Sequence, residues 1–135
     1  NFGITNRNEL KDLAVAALED VGLSHTINQM PAELSGGMRK RVGIARTLIL
    51  KPKIMLYDEP TSGLDPITAM EINDHILSMR EKYKMSSIII THDISSAKHT
   101  SDRIVALVGG VNRLEGTFDE LKSTKDPELE PFFNY

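Results

Sequence analysis

Residues 54–65 constrain this chain more than any other stretch, because four apolar residues there run directly into a pair of acids. Ile54–Tyr57 is followed by Asp58, Glu59 and the turn-forming Pro60. A short apolar run that ends in turn residues predicts a buried strand, and open α/β sheets carry their chemistry at the carboxyl ends of strands. Successive strand side chains point to opposite faces, so Asp58 and Glu59 can serve different purposes. One can hold a metal ion while the other addresses a water molecule; two solvated acids at an exposed strand end are the alternative.

Helices and strands are expected to alternate along the rest of the chain. Apolar spacing predicts a helix from about Glu9 to Val21, with Gly22 as its C-terminal cap. Ser35 is well placed to cap a second helix, whose predicted buried face comprises Met38, Val42, Ala45 and Ile49. The later predictions are a helix from Pro66 to about Lys84, a buried strand at Ser86–Ile90, a helix at Ile94–Thr100, a hairpin of Arg103–Val108 and Val111–Leu114, and a capping box at Thr117–Glu120. This order predicts an α/β fold with a mostly parallel sheet and an all-helical portion in front.

Composition narrows the functional classes. The chain has 135 residues, 40% of them hydrophobic, which suffices for one domain with a core. It contains no cysteine, which excludes disulfides and thiolate zinc sites. Its net charge of −3 gives no dominating basic field for nucleic acid, and no apolar run approaches the length of a membrane span.

Three further features are candidates for chemistry, each with an ordinary structural alternative. Ser35 followed by Gly36 and Gly37 lets backbone N–H groups approach an anion at a helix N-terminus, although an ordinary glycine-containing helix start has the same pattern. Asp65 before Pro66 is sufficiently explained as a helix cap. His92 ends a predicted strand beside the acids, whereas a lone histidine is more often a hydrogen-bonded core or surface residue.

The ordered set of these motifs resembles the ATP-binding-cassette (ABC) ATPases over nearly the whole chain. The motifs are Leu34-Ser35-Gly36-Gly37, Asp58-Glu59-Pro60, Ser62-Gly63-Leu64-Asp65 and His92. By this resemblance, Ser35, Gly36 and Gly37 grip the terminal phosphate of ATP held by the other subunit of a homodimer, and Asp65 lies at that interface. Asp58 supports Mg²⁺, Glu59 orients and activates the attacking water, and His92 senses the terminal phosphate. Phosphoryl transfer needs mainly such positioning and charge compensation.

One element of that family is missing. No Gly-Lys dipeptide occurs, so there is no Gly-x-x-x-x-Gly-Lys-Ser/Thr phosphate loop. The resemblance therefore implies the C-terminal portion of a P-loop NTPase fold. It divides into part of a helical subdomain (1–50), a catalytic core (51–117) and a C-terminal helix and tail (118–135). We expect such a fragment to be inactive alone.

Finer resemblances concern the transporter branch. Leu34–Val42, Tyr57 and Pro66–Thr68 are similar to the Mla/Mce-type lipid transporters. This implies a peripheral ATPase at the cytoplasmic face of a bacterial inner membrane. It would power phospholipid movement through an integral-membrane permease, without nucleic acid and without touching lipid itself. An ABC-type ATPase of DNA repair or chromosome maintenance and a non-catalytic interaction fragment remain the alternatives.

Overall fold

A computed structural model of the chain describes residues 6–133, which form six α-helices and four β-strands. In chain order these are α1 (Arg7–Asp20), α2 (Gly36–Leu48), β1 (Ile54–Asp58), α3 (Pro66–Tyr83), β2 (Ser86–Ile90), α4 (Ile94–Thr100), β3 (Ile104–Val108), β4 (Val111–Gly116), α5 (Phe118–Lys122) and α6 (Glu130–Phe133). No helix within this range is both long and apolar enough to span a bilayer. Residues 1–5 and 134–135 of the predicted first and last regions lie outside the described residues, and the division at 50 and 117 stays a prediction.

Side-chain caps explain where the predicted helices begin. The Ser35 hydroxyl accepts the Met38 N–H at 3.2 Å at the start of α2. The Thr117 hydroxyl and the Glu120 carboxylate cap α5 reciprocally, through the backbone N–H groups of Glu120 at 3.3 Å and Thr117 at 2.7 Å. Each cap satisfies donors that the helix itself leaves unpaired. The capped helices predicted from the sequence are thereby confirmed.

The strands form two separate pairs rather than the predicted single sheet. Within residues 6–133, β1 pairs in parallel with β2, and β3 pairs antiparallel with β4 through the turn at Gly109 and Gly110. The parallel pair has Leu56 opposite Ile88 and Asp58 opposite Ile90. The parallel connection from β1 to β2 runs through α3, as parallel strands require. The predicted α/β class is confirmed, whereas a mostly parallel sheet holds for β1 and β2 only, since among residues 6–133 no strand lies between β2 and β3 to join the two pairs.

The paired strands β1 and β2 are buried on one face, not on both as predicted. Met55 and Tyr57 of β1 lie in the core, together with side chains from α1, α2 and α3. On the opposite face Leu56 is 71% exposed and Ile88 is 57% exposed. The strands are as apolar as a doubly covered strand, but among the described residues the helices pack against one side only. A broad apolar face is consequently left open.

The buried face of α2 is also rotated from the predicted one. Ile44 and Leu48 are buried along with Ala45, whereas Val42 and Ile49 are only partly covered at the edge of the core. The prediction used apolar spacing alone, and two overlapping stripes of α2 fit that spacing. The contact of α2 with α1 and α3 selects the stripe that contains Ile44 and Leu48.

Candidate functional site

The two acids lie where β1 and β2 end side by side. β1 ends at Asp58, which is exposed and opposite Ile90, the last residue of β2. Glu59 continues the line of β1, and its backbone N–H donates to the Ile90 carbonyl at 2.9 Å. Since β1 and β2 are parallel, the segment after Ile90 reaches the same edge as the acids. His92 is on that segment.

Glu59 and His92 are in direct contact. The Oε1 atom of Glu59 accepts the His92 backbone N–H at 3.1 Å and the His92 Nδ1 at 2.8 Å. The hydrogen bond to Glu59 and then the Glu59 charge raise the pKa of His92 above its ordinary value. The other carboxylate oxygen of Glu59, Oε2, is buried without a hydrogen-bond partner. One oxygen of Glu59 thus holds His92, and the second remains an unused acceptor.

The backbone of Glu59 is held in an unusual conformation. Its φ is +46°, in the left-handed region that non-glycine residues rarely adopt. Its carbonyl accepts the Lys40 Nζ at 2.9 Å and the Ser62 N–H at 3.2 Å. Lys40 belongs to α2, so the helix that starts at Ser35 is tied to the backbone of the second acid. Such strain persists only where the surroundings hold it, and it concentrates at functional sites.

The start of α2 packs against the start of α3. Gly37 is buried, and a Cβ on it would lie 2.5 Å from Cγ2 of Thr68. Only glycine permits this approach. Gly36 and Gly37 are the first two residues of α2, so their N–H groups have no intrahelical acceptors. The Ser35 hydroxyl accepts the next N–H, that of Met38. The N–H groups of Gly36 and Gly37 can bind an anion. They lie beside the start of α3 and not beside the acids at the end of β1.

Asp65 is used as a helix cap. Its Oδ1 accepts the N–H groups of Ile67 at 3.1 Å and Thr68 at 3.0 Å, and its Oδ2 accepts the Thr68 hydroxyl at 2.6 Å. These bonds, led by the Thr68 hydroxyl, lower the pKa of Asp65. The structural alternative considered for Asp65 is therefore correct for the described residues, and a role toward nucleotide stays a prediction.

The predicted site residues accordingly fall into two groups. Asp58, Glu59 and His92 meet at the carboxyl edge of β1 and β2. The second group is at the touching starts of α2 and α3 and comprises Ser35, Gly36, Gly37 and Asp65. This separation suits a site in which Asp58, Glu59 and His92 act on one nucleotide and the N–H groups of Gly36 and Gly37 bind another.

Two residues near the Glu59–His92 contact, Lys40 and Ser96, are not predicted from the sequence. Lys40 lies in the basic run Arg39–Arg41, whose residues spread around a helix and are expected to be mostly solvated, and nothing in its spacing points to the Glu59 carbonyl. Ser96 carries a buried hydroxyl next to Asp93, which caps α4 by accepting the Ser95 N–H at 2.9 Å. The Asp93 cap could have been found from its position before Ile94, but the burial of Ser96 could not.

The residues fit a magnesium ion only if most of its ligands come from water and from a nucleotide. No cluster of three or more possible metal-ligating side chains occurs within residues 6–133. Asp58 is exposed at the strand end, so it can supply one carboxylate. Mg²⁺ is commonly bound by one or two carboxylates together with water and substrate phosphates. The exposed Asp58 therefore fits a metal that arrives with a nucleotide.

Comparisons with known proteins show which family this chain resembles. The ABC transporter family model matches residues 3–62. The chain is 46% identical over 125 residues to the glutamine transport ATP-binding protein GlnQ of Geobacillus stearothermophilus, covering 93% of this chain and 51% of that protein. It is 36% identical over 135 residues to the aliphatic sulfonates import ATP-binding protein SsuB of Escherichia coli K12, covering 96% of this chain and 53% of that protein.

A solved structure shows the same fold. The dimeric ATP-binding cassette MJ0796, in a post-hydrolysis state bound to ADP and Pi, superposes with a TM-score of 0.73 at 32% sequence identity. The match covers 87% of this chain and 51% of that one. The chain thus spans about half the length of these relatives. Sequence and fold together place the chain among the ATP-binding domains of the ABC-transporter family.

Proposed function

We propose that this chain supplies the water-activating part of an ATP-hydrolysing ABC-transporter subunit. The observation that carries the proposal is the contact between Glu59 and His92 at the tip of β1, which leaves Oε2 of Glu59 as a buried acceptor without a partner. A carboxylate with one oxygen fixed and one unused is suited to orient a water molecule for attack on a phosphate.

Each predicted residue has a role in that step. Glu59 orients the attacking water and takes its proton, while the ring of His92 keeps the carboxylate aimed and, when protonated, donates to the phosphate from Nε2. Asp58 holds Mg²⁺, directly or through water. Bound there, the ion neutralises charge on the phosphates. Lys40 keeps the Glu59 backbone in place.

The starts of α2 and α3 support a homodimer. Ser35, Gly36 and Gly37 offer helix-terminal donors, but their close neighbours are Leu64 and Thr68 rather than Glu59. In the proposed arrangement these donors bind the ATP of a second subunit. The dimeric structure of the cassette MJ0796 bound to ADP and Pi supports this proposal.

The phosphate loop is proposed to come from a further half-domain. The chain has no such loop, and it matches about half the length of its relatives. The exposed face of β1 and β2 around Leu56 and Ile88 supports the same proposal, because an apolar sheet face of this kind needs a cover. We therefore expect the chain alone to bind Mg-ATP weakly and not to hydrolyse it.

For the complete transporter we propose an integral-membrane permease, with the ATPase peripheral on the cytoplasmic side of the membrane. The cargo is a separate part of the proposal, and the similarity of Leu34–Val42 and Pro66–Thr68 to lipid transporters predicts a phospholipid. The two relatives described above are named for glutamine and aliphatic sulfonates, which favours a small polar solute. The residues described here address nucleotide and not cargo, so either cargo leaves their proposed roles unchanged. A net charge of −3 gives no support to a DNA-associated ATPase.

The proposal can be tested by supplying the half-domain that contains the phosphate loop. The half of the glutamine-transport relative that this chain does not match is fused to the chain, and Mg-ATP binding is measured by calorimetry with phosphate release in parallel. We expect tight binding and turnover in the fusion, and only weak binding without turnover in the chain alone. Tight Mg-ATP binding by the chain alone, or a folded fusion that binds ATP without turnover, would refute the proposal. A folded fusion that hydrolyses ATP equally well with Glu59→Gln would leave a non-catalytic chain as the better reading.

A further inference from the structure

A buried hydroxyl behind the Glu59–His92 contact joins three segments of the chain. Ser96, in the first turn of α4, is 2% exposed. Its Oγ lies 2.7 Å from Oδ2 of Asp93, 2.9 Å from Nδ2 of Asn73 and 3.3 Å from Oγ1 of Thr61. Asn73 is on α3 and Thr61 is on the loop after β1, and both are buried. We call these four residues the Ser96 network.

The direction of every hydrogen bond in the Ser96 network follows from its chemistry. Asp93 accepts only, because its carboxyl is ionised, so Ser96 must donate its single proton to it. Burial alone would raise the pKa of Asp93, but bonds from the hydroxyl and backbone N–H of Ser96 and the N–H of Ser95 outweigh burial and lower the pKa. Asn73 donates through its amide, and Thr61 must then donate its hydroxyl proton to Ser96. One donor and two acceptor positions of Ser96 are all filled.

The network reaches both members of the proposed hydrolytic pair through neighbouring backbone. Asp93 directly follows His92, and Thr61 is two residues after Glu59. A shift of α4 relative to the loop would therefore break a Ser96 bond and pull His92 away from Oε1 of Glu59. Capping of α4 does not need this arrangement, because Oδ1 of Asp93 already accepts the Ser95 N–H.

We propose that Ser96 is a positioning residue that holds His92 against Glu59. It does so by tying the segment after β2 to the loop after β1, with Asn73 of α3 as the fixed point. Ser96 itself does not touch the reacting groups. The link to hydrolysis rests on the function proposed above, whereas the positioning of His92 stands on the geometry of this chain alone.

Amide hydrogen exchange of the isolated chain tests the positioning directly. The His92 N–H donates to Oε1 of Glu59, so its exchange rate reports that contact. Ser96→Ala should speed exchange of the His92 amide by roughly tenfold, the equivalent of one lost hydrogen bond. Core amides of α2 such as that of Ala45 should stay within about twofold. Ser95→Ala is the matched control, since Ser95 neighbours Ser96 on α4 but is exposed and uses only its backbone N–H.

Two outcomes would overturn the proposal. One is a His92 amide in Ser96→Ala that exchanges at the wild-type rate. The other is an equal acceleration of all amides, which would mean that Ser96 contributes to stability only. If Ser96→Ala does not fold, Thr61→Val and Thr61→Ser decide in its place. The valine variant should expose the His92 amide, and the serine variant, which keeps the hydroxyl, should not; equal rates in the two would contradict the proposal.

The failure of this proposal can be told apart from failure of the proposed function. In the hydrolytic fusion, Ser96→Ala should lower kcat and leave KM for ATP unchanged, with Ser95→Ala at wild-type values. If the exchange result holds in the isolated chain while the fusion never hydrolyses ATP, the positioning stands and the function is wrong. If the fusion is active and exchange at His92 is unaffected, the positioning is wrong and the function stands.

Discussion

Replacing Gly37 by alanine should separate the starts of α2 and α3. The added methyl group would lie 2.5 Å from Cγ2 of Thr68, whereas packed carbons prefer about 3.5–4.0 Å. About 1 Å of separation must therefore be regained. Thr68 cannot simply rotate away, because its hydroxyl donates to Oδ2 of Asp65 at 2.6 Å.

The expected cost follows from opposing effects. Overpacking typically costs about 1–3 kcal/mol, and rotation of Thr68 would instead lose a hydrogen bond worth about 0.5–1.5 kcal/mol. Alanine recovers about 0.5–1 kcal/mol of backbone entropy in a helix. We expect Gly37→Ala to lower the free energy of unfolding by about 1–2 kcal/mol as the balance of these effects.

Gly43 provides a matched control in the same helix. A Cβ at Gly43 would meet nothing within 4 Å, so Gly43→Ala should raise stability by about 0.5–1 kcal/mol. Urea unfolding followed by circular dichroism measures both variants. In a Thr68→Ser background, which removes Cγ2 and keeps the hydroxyl, most of the cost of Gly37→Ala should disappear. An equal cost in both backgrounds, or a Gly37→Ala variant as stable as Gly43→Ala, would refute this explanation of the close approach.

Three further predictions concern the sheet edge and the open face. An NMR pH titration should give His92 a pKa above about 6.5, and Glu59→Gln should lower it. The contact stabilises the fold below the unfolded pKa of His92 and is lost as pH rises through the raised folded value. Lys40→Met should speed amide exchange at Glu59 several-fold, because the carbonyl loses its ammonium donor. The chain should self-associate through its apolar face, and Leu56→Thr with Ile88→Thr should reduce association in sedimentation velocity.

Each of these predictions has an internal control. Burial and then the Arg41 charge lower the pKa of His75, so its protonation opposes folding as pH falls, and Glu59→Gln should not move it. Arg46→Met removes an exposed cation from the same helix as Lys40 and should leave Glu59 unaffected. Met55→Thr changes the buried face of β1 and should reduce stability rather than association. A His92 pKa unmoved by Glu59→Gln, equal exchange in the two α2 variants, or unchanged association would each contradict its prediction.

Local sequence signals predicted those parts of the fold that local chemistry determines. Ser35, Asp65 and the Thr117–Glu120 box start helices because their side chains satisfy backbone donors within three residues. The meeting of Glu59 with His92 was also predictable, since parallel strands bring residues after their carboxyl ends to one edge.

Features that depend on distant neighbours were not predictable in this way. An apolar run such as Ile54–Tyr57 indicates a strand but not whether one face or two will be covered. The rotation of α2 toward Ile44, the reach of Lys40 to the Glu59 carbonyl and the burial of Ser96 all depend on elements far along the chain. Side-chain type and spacing carry no record of those contacts.

The most direct measurement is steady-state ATP turnover by the fusion with Glu59→Gln, alongside Mg-ATP affinity from calorimetry. Glutamine keeps the size of Glu59 but cannot accept the proton of the attacking water. We expect kcat to fall by about 10²–10⁴-fold while the dissociation constant for Mg-ATP stays unchanged. Wild-type turnover in the Glu59→Gln fusion would contradict the assignment of Glu59 as the residue that activates water.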